Sequence, residues 1–211
     1  MKRLPRPPYI CLITEGRADP ENYDSERSRI IRAAAAAVAD GVNMVQVREK
    51  ALPAGLVSDL ARAVVDALAG SDALVTVNER ADIASAAGAG GVHLPESSLS
   101  PAVVRRGFGN DLVIGVSTHS FAVAKAAAEG HADYAFFGPV FETPGKGEPA
   151  GVTALEEVCR GLERFPVIAL GGIDVGNFAA ALNAGAAGIA GIRALNNATS
   201  RRQIITALRS L

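Results

Sequence analysis

Short apolar runs recur along the chain, and each is followed by a stretch of helical periodicity. The runs cover 9–14 (YICLIT), 43–48 (NMVQVR), 73–78 (ALVTVN), 91–94 (GVHL), 111–117 (DLVIGVS), 133–137 (DYAFF), 167–170 (VIAL) and 188–190. They are continuously apolar and bounded by Gly or Asp, as expected of parallel strands buried on both faces. Helices are predicted over 25–40, 53–69, 79–87, 101–107, 120–129, 152–161, 175–183 and 200–211. In the first of these Asp24 is the expected N-cap, Ile30, Ile31, Ala34 and Val38 share one face, and Gly41 ends the helix. Strict strand–helix alternation predicts a parallel sheet. Eight units in 211 residues predict a closed (β/α)8 barrel, an α/β fold, as one domain over 1–211.

Two glycine-rich loops sit near the end of this series. Gly171 and Gly172 follow the seventh strand, and Gly191, Ile192 and Arg193 follow the eighth. Backbone without a side chain lets N–H groups approach a ligand, and the loops after strands seven and eight of such barrels commonly bind phosphate. Two tight turns are the bland alternative. The other strands end in polar residues, which a barrel gathers at its C-terminal rim, where active sites lie. Strand two gives Gln46, Arg48 and Lys50 at period two; strand three gives Asn78, then Glu79; strand five gives Ser117, then His119. Lys146 lies in the long Gly- and Pro-rich segment 138–151.

With Arg193, these lysines and arginines make a cationic rim suited to an anionic substrate. The alternative for Arg48 and Lys50 is a structural network with Glu49 or Glu79. His119 is the candidate acid/base, since its ordinary pKa of about 6.5 suits proton transfer at neutral pH. His93 is expected to be a satisfied core histidine, and His131 a solvated loop residue.

Composition narrows the classes. Formal net charge is −1, so no global field favours nucleic acid or a membrane. Aromatic residues make up 5% and tryptophan is absent, which argues against a base-stacking platform. Cys11 and Cys159 have no metal-like spacing and are expected to be thiols without a chemical role. The apolar run after the proline-broken N-terminus is too short for a signal peptide or a membrane span, so a cytoplasmic location is expected. Homo-oligomer formation is left open.

The stretches MVQVREK (44–50), VTVNERADIASAAGAGGVHL (75–94), IGVSTHS (114–120), FFGPVFETPGKG (136–147) and ALGGI (169–173) resemble, in order and spacing, the motifs of the thiamine phosphate synthase/TenI family. The resemblance implies a (β/α)8 barrel. In its synthase branch an aminopyrimidine methyl pyrophosphate is joined to a hydroxyethylthiazole phosphate and pyrophosphate leaves. Carried over, Gln46, Arg48, Lys50, Asn78, Ser117 and Lys146 would hold the pyrimidine and its pyrophosphate. Gly171, Gly172, Gly191, Ile192 and Arg193 would hold the thiazole phosphate.

The chain departs from the synthase pattern in its acidic residues. Where synthases carry Asn-Asp and Gly-Gln-x-Asp to bind Mg²⁺, this chain has Asn78-Glu79 and Pro95-Glu96-Ser97-Ser98. Glu79 stays a candidate Mg²⁺ ligand if the chain is a synthase. Ser98 resembles the TenI branch, whose thiazole tautomerase needs no cofactor and would use His119. The tautomerase is therefore the first expectation and the synthase the alternative. A non-catalytic binder of thiazole or thiamine phosphates is a third.

Overall fold

The computed structural model describes residues 3–209. In them, eight parallel strands close into a barrel in chain order: β1 (Tyr9–Ile13), β2 (Met44–Val47), β3 (Leu74–Asn78), β4 (Gly91–Leu94), β5 (Val113–Thr118), β6 (Tyr134–Phe137), β7 (Val167–Leu170) and β8 (Gly188–Gly191). The helices around it are α1 (Tyr23–Asp40), α2 (Ala54–Ala67), α3 (Ala81–Ala86), α4 (Pro101–Phe108), α5 (Phe121–Glu129), α6 (Gly151–Gly161), α7 (Phe178–Asn183), α8 (Arg193–Asn196) and α9 (Ala198–Leu208). The predicted ends at Met1, Lys2, Ser210 and Leu211 lie outside the described residues.

Several helix boundaries differ from the sequence reading by one to three residues, and two of the shifted starts have a visible cause. Helix α1 starts at Tyr23, with Asn22 and not Asp24 at its N-cap. Asp19 sets this start: its Oδ1 accepts the N–H groups of Glu21 and Asn22, both at 2.9 Å, and turns the chain into the helix early. Helix α7 starts at Phe178 and not at 175, because Asp174 Oδ1 accepts the N–H groups of Gly176 (2.8 Å) and Asn177 (3.1 Å) in a turn of its own. The four-residue α8 was not foreseen.

Strand alternation divides the core in two. Outward residues such as Leu12, Val45, Val77, Val92, Ile114, Phe137, Ala169 and Ile189 pack under the helices. Inward residues Tyr9, Cys11, Met44, Leu74, Val113, Tyr134 and Ile168 fill the barrel. Both faces are dry, which is why the strands read as unbroken apolar runs. Closure comes from β1 pairing with β8, with Cys11 opposite Ala190.

The same seam is locked outside the barrel. Asp40 ends α1, where a carboxylate opposes the helix dipole. Three arginines of the C-terminal segment offset it. Buried Arg201 gives Nε and Nη2 to Asp40 Oδ2 at 2.9 and 2.6 Å, Arg202 Nε reaches Oδ1 at 3.1 Å, and Arg209 binds the Asp40 carbonyl at 3.0 Å. Partial burial works to raise the Asp40 pKa, but the two guanidinium groups on its oxygens hold it below the usual carboxylate range. A group with a depressed folded pKa stabilises above its unfolded value and loses that contribution as pH falls through the folded one. Asp40→Asn is thus expected to cost about 2 kcal/mol at neutral pH, the size of a hydrogen bond to a charged partner. The gap from the parent should close as pH drops below about 4; urea melts across pH check both.

Candidate active site

At the C-terminal ends of the strands the barrel opens into a cavity of about 850 Å³. Gln46, Arg48 and Lys50 reach it from β2 and the residues after it, Asn78 from β3, and Ser117 and His119 from β5 and its loop. Lys146 comes from the segment after β6, Gly171 and Gly172 from the turn after β7, and Gly191, Ile192 and Arg193 from the end of β8 and the start of α8. One cavity thus gathers all the site residues read from the sequence except Glu79.

The parts are held from behind. Buried Gln46 gives its amide N–H to Asn78 Oδ1 (3.2 Å), so the two amides form one platform. The Arg48 N–H donates to Thr14 Oγ1 (2.8 Å). Among the described residues neither Arg48 nor Lys50 forms an ion pair, so the structural network offered as their alternative is not made. Glu49 instead is buried and accepts the N–H groups of Gly16 (3.0 Å) and Ala18 (2.8 Å), pinning the loop after β1.

Gly171 and Gly172 adopt φ of 96° and 65°, the left-handed region that favours glycine. Asn177 Nδ2 holds that turn by the Gly172 carbonyl (2.8 Å). Asn196 Nδ2 holds the next one, bonding the carbonyls of Ile13 (2.9 Å) and Ile192 (2.7 Å). With Arg48, Lys50, Lys146 and Arg193 around it and Glu96 as the acidic side chain in its lining, the cavity is electropositive.

Glu79 is a correction. It is exposed and outside the lining, and its charge acts on Arg80. Its N–H donates to the His93 carbonyl (2.8 Å) with φ at 66°, and this left-handed kink takes it off the strand's alternation. Glu96, one loop further, is the carboxylate that enters. His119 stands at the rim: Nδ1 donates to the Gly138 carbonyl, and Nε2 lies 3.8 Å from a Glu96 oxygen.

His93 is buried in the barrel, as expected of a core histidine, yet its edge reaches the cavity floor. Burial, and then the charge of Arg48, lower its pKa to about 3, so it is neutral. His131 is exposed, as expected.

Sequence reasoning missed the apolar floor of Ile13, Phe136, Leu170 and Ala190. It also missed the supporting Asn177 and Asn196. The floor was visible only as strand residues of unassigned direction. Asn177 caps the start of α7 after the Gly171–Gly172 turn, while Asn196 ends the short α8 after Gly191.

A family model described as thiamine monophosphate synthase matches residues 10–195. The chain is 44% identical over 165 residues to a thiamine-phosphate synthase of Anaeromyxobacter dehalogenans, covering 77% of this chain and 73% of that one. It is 35% identical over 210 residues to a thiamine-phosphate synthase of Chlorobium luteolum, covering 98% and 94%. Its fold matches the solved thiamine phosphate pyrophosphorylase of Pyrococcus furiosus with a TM-score of 0.80 and 29% identity, over 96% of this chain and 94% of that one. Among the described residues no helix is long and apolar enough to cross a membrane. The chain belongs to the thiamine monophosphate synthase family of enzymes.

Proposed function

We propose that the protein is a thiamine phosphate synthase, joining an aminopyrimidine methyl pyrophosphate to a hydroxyethylthiazole phosphate with release of pyrophosphate. The observation that carries this reading is one roomy cavity with anion-binding parts on separated strands. Arg48 and Lys50 follow β2, while Gly171, Gly172 and Arg193 follow β7 and β8. About 850 Å³ lies well within the range of small-molecule sites and has room for two substrates. The relatives named above add support, since each is called a synthase or pyrophosphorylase. The tautomerase expected first has no such relative among them, and its intended acid/base is a rim residue engaged with Gly138.

In the proposed reaction the methylene C–O bond breaks with its electron pair going to pyrophosphate, and the thiazole nitrogen forms the new bond to that carbon. Arg48, Lys50 and Lys146 stabilise the charge that builds on the leaving oxygens. Gln46 and Asn78 orient the pyrimidine by paired donors and acceptors. The side-chain-free turn at Gly171 and Gly172, with Arg193, holds the thiazole phosphate. Ile13, Phe136, Leu170 and Ala190 seat the rings and keep water out.

Mg²⁺ normally uses one or two carboxylates together with substrate phosphates and waters. Glu96, in the lining, would hold such an ion together with the oxygens of the pyrophosphate. Among the described residues no cluster of three or more His, Cys, Asp or Glu could hold a metal by protein alone. When bound there, the ion would offset charge on the leaving group.

The test supplies both substrates at millimolar Mg²⁺ and measures pyrophosphate and thiamine phosphate. Equal release of the two, lost on chelation, is expected. No product from the pair, or hydrogen exchange on a thiazole carboxylate phosphate alone in D₂O, overturns the reading.

A further inference from the structure

Below the cavity floor, three polar side chains from three neighbouring strands meet inside the barrel. His93 on β4 places Nε2 2.9 Å from Ser117 Oγ on β5 and Nδ1 3.1 Å from the Tyr134 hydroxyl on β6. Its ring stacks on Phe136 with centroids 4.1 Å apart, which fixes its plane. Tyr134 reaches across β5 because Gly115 stands between them: it pairs in register with both His93 and Tyr134, and a Cβ there would overlap the phenol. Thr76 on β3 is fully buried, and its Oγ1 has no hydrogen-bond partner among the described residues.

Protons can run through these groups in two directions. Run inward, Ser117 donates to Nε2 and Nδ1–H donates to Tyr134, whose own buried proton is then left without an acceptor among the described residues. Run outward, Tyr134 donates to Nδ1, and Nε2–H donates to Ser117. The outward run strands nothing, and buried polar groups are rarely left unpaired. It leaves the Ser117 proton free at the cavity floor.

We propose that Tyr134 and His93 are positioning residues that fix the Ser117 hydroxyl as a hydrogen-bond donor, so that the floor takes a ligand atom bearing a lone pair, a phosphoryl oxygen or a ring nitrogen. Neutral His93 suits this, since a protonated ring could not accept from Tyr134. The claim concerns the cavity and stands whichever reaction it serves.

Nitrogen-15 NMR of the imidazole in the intact protein tests it directly, with no turnover required. The expected signature is a single Nε2–H tautomer of His93 across neutral pH, kept in Thr76→Val and mixed in Tyr134→Phe. Tyr134→Phe should also raise KM for one substrate about tenfold, the worth of one hydrogen bond, with a much smaller change in kcat. An Nδ1–H or protonated ring in the parent overturns the proposal, as does a Tyr134→Phe variant with the parent's tautomer.

Discussion

Replacing Gly172 with valine is expected to lower kcat/KM about a thousandfold, equivalent to about 4 kcal/mol of transition-state stabilisation. Gly172 has φ of 65°, where a β-branched residue is strained. A Cβ there would lie 2.5 Å from the Glu142 carbonyl oxygen and 2.7 Å from Phe141 Cβ. Those residues belong to the segment that carries Lys146. The segment hangs on the same turn, since Val140 N–H donates to the Leu170 carbonyl (2.9 Å) and Phe141 N–H to the Gly171 carbonyl (3.1 Å). One substitution therefore moves both proposed anion contacts together, the backbone turn and the lysine. Steady-state kinetics with both substrates check the loss, and a thermal melt should show a stability cost of about 2 kcal/mol from backbone strain. Gly176→Ala is the control: a Cβ there meets only Asp174 Oδ1, at 3.4 Å, and near-parental activity is expected.

Arg48→Gln is expected to reduce kcat by about 10²–10³, the range for removing one preorganised charge-stabilising group. Arg48 is half-buried, its backbone is held by Thr14, and its charge is felt by His93 in the barrel below. With no ion-pair partner among the described residues, its charge is directed at what enters the cavity. In the proposed reaction the leaving pyrophosphate gains charge only as its bond breaks, so the loss should fall more on kcat than on KM. Stability should stay within about 0.5 kcal/mol of the parent because no folded-state ion pair is lost. Parental kcat in this variant would remove Arg48 from the proposed chemistry.

The strands could be read from the chain because burial on both faces writes a continuous apolar run, and Gly or Asp marks where it ends. The rim could be read because each run stops at a polar residue. What could not be read depends on single backbone angles and on contacts between distant strands. Periodicity cannot reveal that Glu79 kinks into the left-handed region and leaves the lining to Glu96. Nor does it reveal that Gly115 is bare so that Tyr134 can pass over it to His93. The short α8 was invisible for a different reason: four residues are too few to display a helical period. Glu49 looked like a partner for its cationic neighbours, but two backbone N–H groups of the loop after β1 claimed it.

The pairing of β1 with β8 has a bearing on how the chain is made. Synthesis runs from the amino end, so β1 emerges first and its second neighbour emerges last. Through most of translation the nascent sheet carries two open margins, each a row of unsatisfied amide and carbonyl groups able to recruit other chains. Asp40 meets Arg201 only after some 160 further residues have been added. The finished ring is free of such margins, but a ribosome that stalls before β8 leaves a product with an adhesive border.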